Sequence, residues 1–514
     1  MANKTFAAID VGSFELMLRI YEFSGKGEAR EIDTLVKRLA LGNDTYASGK
    51  ISNEKVDELC RVLRDFSSIM KSYKVSSYKA YGTSAIRESK NYTVLLDQIE
   101  QRTGIRVELL SNSEQRYLDY KSVAYKGAVF NRVIEESSAI LDIGGGSIQI
   151  SLFDKDTLVS TQNLRLGVLR IQERLRDFHA DLARMDALID EMVSAQLSTY
   201  KKLYLHGKNV KNIIIVDDYI SPLMVRGATD RKFGAEMDRD EFRRLRKILT
   251  SHSEYQTAMS MEIPEEKIPL LLISVVLTDR IAEMMDSKSI WAPGVTLCDG
   301  IAYEYMEEKH LLSERHDFEK DIIACAFNIS KRYMGSRSRA ETLRTIAGTI
   351  FESTKSLHGL GKRERLYLDI ATILHDCGRY ISLTNLGERS YDIVMNTEII
   401  GLSHQEREIV ANIIKFNHSE FVYYAPGGDN GGLDRESYLV VAKLTAILRL
   451  ANTLDRSHKK KMVEVKASLK ENELILSVDT PDHMLLEQAY FDETADFFQE
   501  VYSVRPVLKL RKTL

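Results

Sequence analysis

Two short stretches of this chain carry residue types and spacing suited to holding an anion: Asp10-Val11-Gly12-Ser13 and Asp142-Ile143-Gly144-Gly145-Gly146-Ser147. Glycine lets several backbone N–H groups turn into one concavity, which favours negative charge. An Asp carboxylate at the strand end beside that concavity can hold Mg²⁺ or a water next to the anion. Either stretch alone is also an ordinary hairpin turn. Its recurrence argues for the anion site, because turn chemistry does not require Asp at the same place twice.

The elements that must position these loops are repeated too. Residues 7–20 read AAIDVGSFELMLRI and residues 139–152 read AILDIGGGSIQISL. Each is an apolar run ending in Asp, a Gly/Ser turn and then alternating apolar residues: Leu16, Leu18 and Ile20 in one, Ile148, Ile150 and Leu152 in the other. Each predicts a β-hairpin with its glycine turn at the tip, and two copies predict two similar lobes facing each other. Between them, Val56, Leu59, Leu63, Phe66 and Met70 fall at helical spacing behind Ser52 as N-cap. Strands are expected over 77–81, 107–110 and 212–216, and helices over 92–103 and 113–126. This strand–helix alternation defines an α/β domain. From 317 to 458 the periodicity is helical, for example Ile409, Ile413 and Ile414, with a glycine-rich loop at 424–434. Finally VEVKASL and ELILSVD flank KEN as a hairpin, followed by a helix over 483–502 and a strand at 506–510. The expected division is 1–128 (lobe I), 129–310 (lobe II), 311–460 (helical) and 461–514 (small α+β).

Length, composition and charge exclude several classes. At 514 residues the chain exceeds one core. A net charge of −4 with mixed signs argues against a general nucleic-acid binder. Four scattered cysteines without a CxxC pair suit a reducing compartment. The opening MANKTFAAID lacks the apolar stretch of a signal peptide, and no window reads as a membrane span of about 18 apolar residues. With seven prolines and no low-complexity segment, the chain reads as tightly connected cytoplasmic domains.

The two loops, GTSAIRES (82–89), LLSNSEQRY (109–117) and LRLGVLRI (164–171) occur in the order and at the spacing of the exopolyphosphatase / guanosine pentaphosphate phosphohydrolase (Ppx/GppA) family, which the chain resembles over essentially its whole length. LHGLGKRERLYLDIATILHDCGRYI (357–381) and LRLANTLDRSH (448–458) resemble its helical domain. The resemblance implies a duplicated actin-like (ribonuclease H-like) α/β core, an all-α HD-like domain and a small α+β C-terminal domain. It also implies release of a terminal phosphate from polyphosphate or guanosine pentaphosphate with Mg²⁺, and a homodimer. Carried over by position, Asp10 and Asp142 match the metal or water carboxylates. Gly12, Ser13, Gly144, Gly145, Gly146 and Ser147 match phosphate-contacting turn residues, and Arg87 and Arg170 match phosphate-gripping arginines. Each of these arginines also reads as a surface salt-bridge residue.

Several positions depart from the pattern. Hydrolysis of a phosphoanhydride needs a positioned water and usually a carboxylate to take its proton. Ungapped alignment puts Gln115 on the family's catalytic Glu, and an amide orients water without accepting its proton. An offset of one residue around 113–116 makes Glu114 the base instead. Further departures are Gln149 for a second acid, Phe14-Glu15 after the first loop, Asp217-Asp218-Tyr219 in place of a glycine-rich turn, and Cys298-Asp299-Gly300 for Arg-Glu-Gly. In the helical domain His375-Asp376 and Asp455 suit metal ligands, but Arg339 stands where the first His is expected and Asn417, beside His418, replaces another. A metal-free domain with a structural or anion-lining role is the expectation there. His404 reads as a cap-region surface residue, and Lys459-Lys460-Lys461 as a solvated run. The leading function is a phosphohydrolase. A sensor that keeps the cradle and has lost the base is the alternative. An actin-like kinase is disfavoured by VDDYIS where its nucleotide turn would lie.

Overall fold

A computed structural model describes residues 4–23, 29–178, 182–228, 234–312, 316–425 and 432–512; positions 426–431 of the glycine-rich loop lie outside these. The chain forms two compact units, Met1–Asp317 and Phe318–Leu514.

The first unit holds two sheets built to one plan. In the first, β1 (Lys4–Val11), β2 (Glu15–Phe23), β3 (Ala29–Arg38), β4 (Ser77–Gly82) and β5 (Glu108–Leu109) lie in the order β3-β2-β1-β4-β5. In the second, β6 (Ser138–Ile143), β7 (Ile148–Phe153), β8 (Leu158–Leu164), β9 (Asn212–Asp217), β10 (Ala235–Asp238) and β11 (Ser289–Ala292) lie in the order β10-β11-β9-β6-β7-β8. Each predicted hairpin forms: β1 pairs antiparallel with β2, Asp10 facing Met17, and β6 with β7, Asp142 facing Gln149. On its other side each first strand pairs in parallel, β1 with β4 and β6 with β9. The two Asp residues therefore end equivalent strands of equivalent sheets.

Burial explains where alternation fades. Every residue of β6, β7 and β9 is buried, so these central strands read as continuous apolar runs. The strand expected at 107–110 shortens to Glu108–Leu109, because at the sheet edge only Tyr81 and Gly82 pair with it. Helices cover the sheets. Asn53–Ser72 buries Val56, Leu59, Leu63 and Phe66 as its spacing requires, although Ser52 makes no side-chain cap and bonds Asp44 instead. Leu297–Glu308 lies against Asn112–Ala124, and Gly300 permits the approach, since a Cβ there would stand in the Leu118 carbonyl.

The second unit combines helices Phe318–Arg332, Arg337–Ser353, Lys362–Leu374, Leu386–Asn396, His404–His418 and Arg435–Leu454 with a three-stranded sheet. There β12 (Glu464–Lys470) and β13 (Glu473–Thr480) form the expected hairpin. The helix Leu485–Tyr502 then crosses over so that β14 (Arg505–Lys512) pairs parallel to β13. Ser353 donates to the Ala467 carbonyl of β12 at 3.0 Å, and Thr453 and Thr494 join Arg435–Leu454 to the crossover helix by a bond of 2.9 Å. One expectation is corrected: Arg435–Leu454 is long and apolar enough to cross a membrane, with a mean hydropathy of 1.2 over its window. Most of it is buried within this unit, which is the position of a core helix.

Candidate functional site

The two loops close by short turns. Gly12 N–H donates to the Glu15 carbonyl at 3.1 Å and Gly144 N–H to the Ser147 carbonyl at 3.0 Å. The turns leave Asp10 and Asp142 at the strand ends, where three further carboxyls join them. Asp119 comes from the helix Asn112–Ala124, and Asp217 and Asp218 from the end of β9. Burial pushes Asp10 well above the usual carboxylate range, with help from Asp218 and Asp142. It does the same to Asp119, against Asp142 and Asp10. Burial also raises Asp142 to about 6, while bonds from Asp119 and Gln115 and the nearby Arg116 hold it down. Asp119 and Asp142 therefore titrate as a pair, both raised chiefly by burial. Asp218 is exposed at the end of β9, yet desolvation by its surroundings and the carboxylates of Glu15, Asp217 and Asp142 push it up to about 7. Asp217 is also raised by burial, and it is engaged structurally: it accepts from Ile220 N–H, from Ser221 N–H at 2.7 Å and from the Ser274 hydroxyl at 2.9 Å.

The structure separates Gln115 from Glu114. Gln115 Nε2 donates to Asp142 Oδ2 at 3.3 Å. Glu114 accepts the Ser111 N–H at 2.9 Å while Ser111 Oγ accepts from Glu114 N–H, a complete capping box. One helical step of about 100° separates Glu114 from Gln115, so the carboxylate is engaged at the helix start while the amide meets Asp142. Arg116, fully buried, donates to Gln149 Oε1 at 3.0 Å and to Thr161 Oγ1, so the two departures at Gln115 and Gln149 belong to one network. Asp10 Oδ1, Gln115 Oε1 and Asp119 Oδ2 are buried acceptors without a hydrogen-bond partner.

The remaining candidates brace the cradle. Ser13 Oγ bonds Tyr46 Oη and Ser84 Oγ, each at 2.9 Å. Arg170 Nε donates to the Gly146 carbonyl at 3.0 Å, its Nη2 to Glu88 at 2.6 Å, and its guanidinium lies over the Tyr46 ring. Arg87 donates to the Leu110 carbonyl and to Asn112 Oδ1 at 2.6 Å, fastening the start of the site-bearing helix. The glycines are tightly enclosed: a Cβ at Gly145 would meet Ser13 and Leu169, and one at Gly146 would meet Tyr46. Gly167 touches the Gly145–Ser147 backbone so closely that a Cβ there would overlap it. Sequence reading missed Asp119 and Gly167. The available signal for Asp119 was its position one helical turn beyond Gln115, on the same face.

In the second unit Arg339 Nε donates to His375 Nε2 at 3.1 Å and its Nη2 to Asn452 Oδ1 at 2.7 Å. Burial pulls Arg339 down to about 10, opposed by the attraction of Asp376 and Asp455. Burial also keeps His375 neutral, down to about 3, and His418 neutral, down to about 4. His418 Nε2 bonds the His375 carbonyl at 2.7 Å, and His404 is exposed at its helix start. Among the described residues, no group of three or more His, Cys, Asp or Glu is arranged to hold a metal.

A duplicated α/β core whose two equivalent strands each end in Asp beside a glycine turn defines a two-lobed α/β protein with paired loops. Residues 25–309 match the Ppx/GppA phosphatase family and residues 324–494 match domain III of Ppx/GppA phosphatases; the chain belongs to this family. It is similar to the guanosine-5'-triphosphate,3'-diphosphate pyrophosphatase of Vibrio parahaemolyticus, 21% identical over 80% of each chain. It is also similar to exopolyphosphatase 1 of Mycobacterium leprae, 26% identical over 37% of this chain and 55% of that one. Among solved structures, an exopolyphosphatase from Cytophaga hutchinsonii shares the fold with a TM-score of 0.52, at 20% identity over 59% of this chain and 98% of that one. The Aquifex aeolicus Ppx/GppA family member shares it with a TM-score of 0.50, at 18% identity over 60% and 99%.

Proposed function

We propose that the chain is a phosphohydrolase that releases the terminal phosphate of inorganic polyphosphate or guanosine pentaphosphate. The observation that carries this reading is the buried cluster of Asp10, Asp142, Asp119 and Gln115 at the ends of the two equivalent strands, with acceptor atoms left unpartnered. In phosphoryl transfer the transition state is loose, so positioning and charge stabilisation do most of the work. A Gln can position the attacking water, as it does in GTPases. Gln115 Oε1 is placed to accept a hydrogen from that water, while its Nε2 is fixed on Asp142.

The residues fit a magnesium ion. The cluster concentrates carboxyls that burial drives toward protonation, so an added cation would stabilise it. Asp10 and Asp142 would hold it, since Mg²⁺ is bound through one or two carboxylates plus substrate phosphates and waters. When bound, the ion supplies charge neutralisation for the phosphate oxygens. The Gly145–Gly146 stretch of the second turn offers backbone N–H groups, and Arg170 holds that turn in place through the Gly146 carbonyl. The second unit is read as an HD-like domain without metal. A homodimer and a cytoplasmic location rest on the family resemblance.

A second reading is favoured by one observation: an amide occupies the base position. On it the cradle binds a phosphorylated ligand and reports it without turnover. The test is phosphate release from long-chain polyphosphate and from guanosine pentaphosphate with Mg²⁺, for wild type and Asp142→Asn. The phosphohydrolase reading expects turnover by wild type and its loss in the variant. Binding of both ligands by wild type without release establishes the sensor instead.

A further inference from the structure

One side chain of this chain lies between the two glycine turns. Tyr46 belongs to the short helix Leu41–Ser48, and its hydroxyl reaches both loops. Tyr46 Oη bonds Ser13 Oγ of the first loop at 2.9 Å and Ser84 Oγ at 3.0 Å, and the two serines bond each other at 2.9 Å. The three hydroxyls form a closed ring in which each can donate to the next. On the second loop, a Cβ built on Gly146 would overlap Tyr46 Oη and stand 3.0 Å from Ser84 Oγ. A Cβ on Gly145 would stand 2.8 Å from Ser13 Cβ. Where a methyl group has no room between the turns, a tetrahedral phosphoryl group has none.

The side chains suited to meeting phosphate there are engaged within the protein. Ser13 Oγ is part of the ring. Arg170 donates to the Gly146 carbonyl at 3.0 Å and to Glu88 at 2.6 Å, with its guanidinium 4.6 Å from the centre of the Tyr46 ring. It covers the phenol and pins it against the second turn. Gly42, one helical turn before Tyr46, leaves the space the ring takes: a Cβ there would stand 2.7 Å from Tyr46 Cε2 and 2.8 Å from Leu169 Cδ1. Burial pushes the phenol pKa up, so the group stays a neutral hydroxyl. A neutral hydroxyl seated among these groups keeps them hydrogen-bonded, and leaving them buried and unpaired would be costly. A role for the phenol as a phosphate ligand needs both to fit beside Gly146, and the contact there leaves no place for both.

We propose that Tyr46 is an internal stand-in for the ligand: its hydroxyl occupies the anion seat between the two loops and must swing out before the end of a phosphate chain can enter. This rests on the phosphate-site reading above and adds the step that admits the ligand. The apparent affinity is then scaled by the fraction of molecules whose phenol has left the seat. Removing the hydroxyl tightens binding, whereas removing an ordinary ligand or a bracing residue loosens it.

The test is isothermal titration of inorganic tripolyphosphate with Mg²⁺ into wild type, Tyr46→Phe and Ser84→Ala, with the near-ultraviolet tyrosine difference spectrum recorded alongside. Tyr46→Phe keeps the ring and loses both bonds of the hydroxyl. It is expected to bind about tenfold more tightly than wild type, the worth of two ordinary hydrogen bonds. Ser84→Ala removes one of those bonds and is expected to tighten binding about threefold; it serves alone if Tyr46→Phe does not fold. Tripolyphosphate is expected to move a tyrosine toward solvent in the wild-type spectrum, and Tyr46→Phe to lack that signal. Binding by the variants equal to or weaker than that of wild type overturns the proposal and leaves the phosphate site standing. A tyrosine signal of the same size in wild type and Tyr46→Phe overturns it as well, since the phenol has then not moved. Failure of wild type and both variants to bind tripolyphosphate overturns the phosphate site itself.

Discussion

Gln115 Nε2 lies 3.3 Å from Asp142 Oδ2, so the helix that enters the site presents an amide to the second loop. The neighbouring Glu114 is committed to the Ser111 N–H at the helix start. A side chain that can orient water thus occupies the position from which a family member would take its proton, and the acid next door has a folding role.

Exchanging these roles separates them. Gln115→Glu is expected to raise the rate of phosphate release about tenfold or more in Mg²⁺, as general-base catalysis adds to positioning. Glu114→Gln is expected to leave kcat within about twofold, because Gln still completes the capping box, whereas Ser111→Ala costs about 1 kcal/mol of stability. Steady-state phosphate release and urea denaturation of the three variants check this. A large loss of kcat in Glu114→Gln would return the base role to that residue.

The carboxyl cluster predicts a pH profile for stability without divalent metal. Asp142 has its folded-state value raised from 3.8 to about 6. The folded state therefore holds extra protons between those values, and its destabilisation is absent below about pH 4 and complete above about pH 6. Asp218, raised to about 7, extends the same trend. In EDTA the melting temperature is expected to fall as pH rises from 5 to 8. Asp142→Asn flattens that slope, and Mg²⁺ raises the midpoint more at pH 8 than at pH 5. Calorimetry in EDTA and in Mg²⁺ reads both; a Mg²⁺ shift equal at the two pH values would contradict metal binding by these acids.

Much of this was legible because it is local and repeated. The two hairpins follow from an apolar run, Asp and glycine occurring twice, and the helix at 92–103 from its spacing alone, with the observed bounds Tyr92–Thr103. What stayed hidden depends on tertiary contact. Asp119 is an unremarked acid in a polar helix until the fold brings it to Asp142. Arg87 lies in a loop that suits phosphate, and only the fold shows that it also ties down the start of the next helix. Asp217 looked like a carboxylate in a ligand turn, and it instead caps the helix Ile220–Arg226. Whether Glu114 or Gln115 faces the loops turned on a single helical step, which a boundary read from sequence does not resolve.

Gly300 sets how closely the helix Leu297–Glu308 approaches the one that carries Gln115 and Asp119. With a Cβ there overlapping the Leu118 carbonyl, Gly300→Ala must push the site-bearing helix aside. Overpacking of this kind costs about 1–3 kcal/mol, and a misplacement of about 1 Å can cost about 100-fold in rate. Gly300→Ala is expected to lose more activity than stability, whereas alanine at Gly104, where no atom lies within 4 Å but the backbone is left-handed, is expected to lose about 1 kcal/mol and no activity. Melting curves and phosphate release for the pair distinguish the two.

In the second unit the Arg339 guanidinium stands among His375, Asn452, Asp376 and Asp455, donating to the first two and attracted by the carboxylates. It supplies from within the chain the positive charge that a metal ion would bring to such a set. Arg339→Ala leaves buried acceptors and carboxylates without their cation, and breaking a buried charge arrangement costs about 3–5 kcal/mol. Arg339→Lys is expected to restore little of it, because an ammonium lacks the planar fork that reaches both His375 and Asn452. Arg339→His places an imidazole beside His375, Asp376 and Asp455, a donor set suited to zinc. That variant is expected to retain about one equivalent of Zn²⁺ per chain through dialysis where wild type retains none, as read by elemental analysis. Zinc retained by wild type, or by neither protein, would show that the guanidinium does not occupy a metal's place.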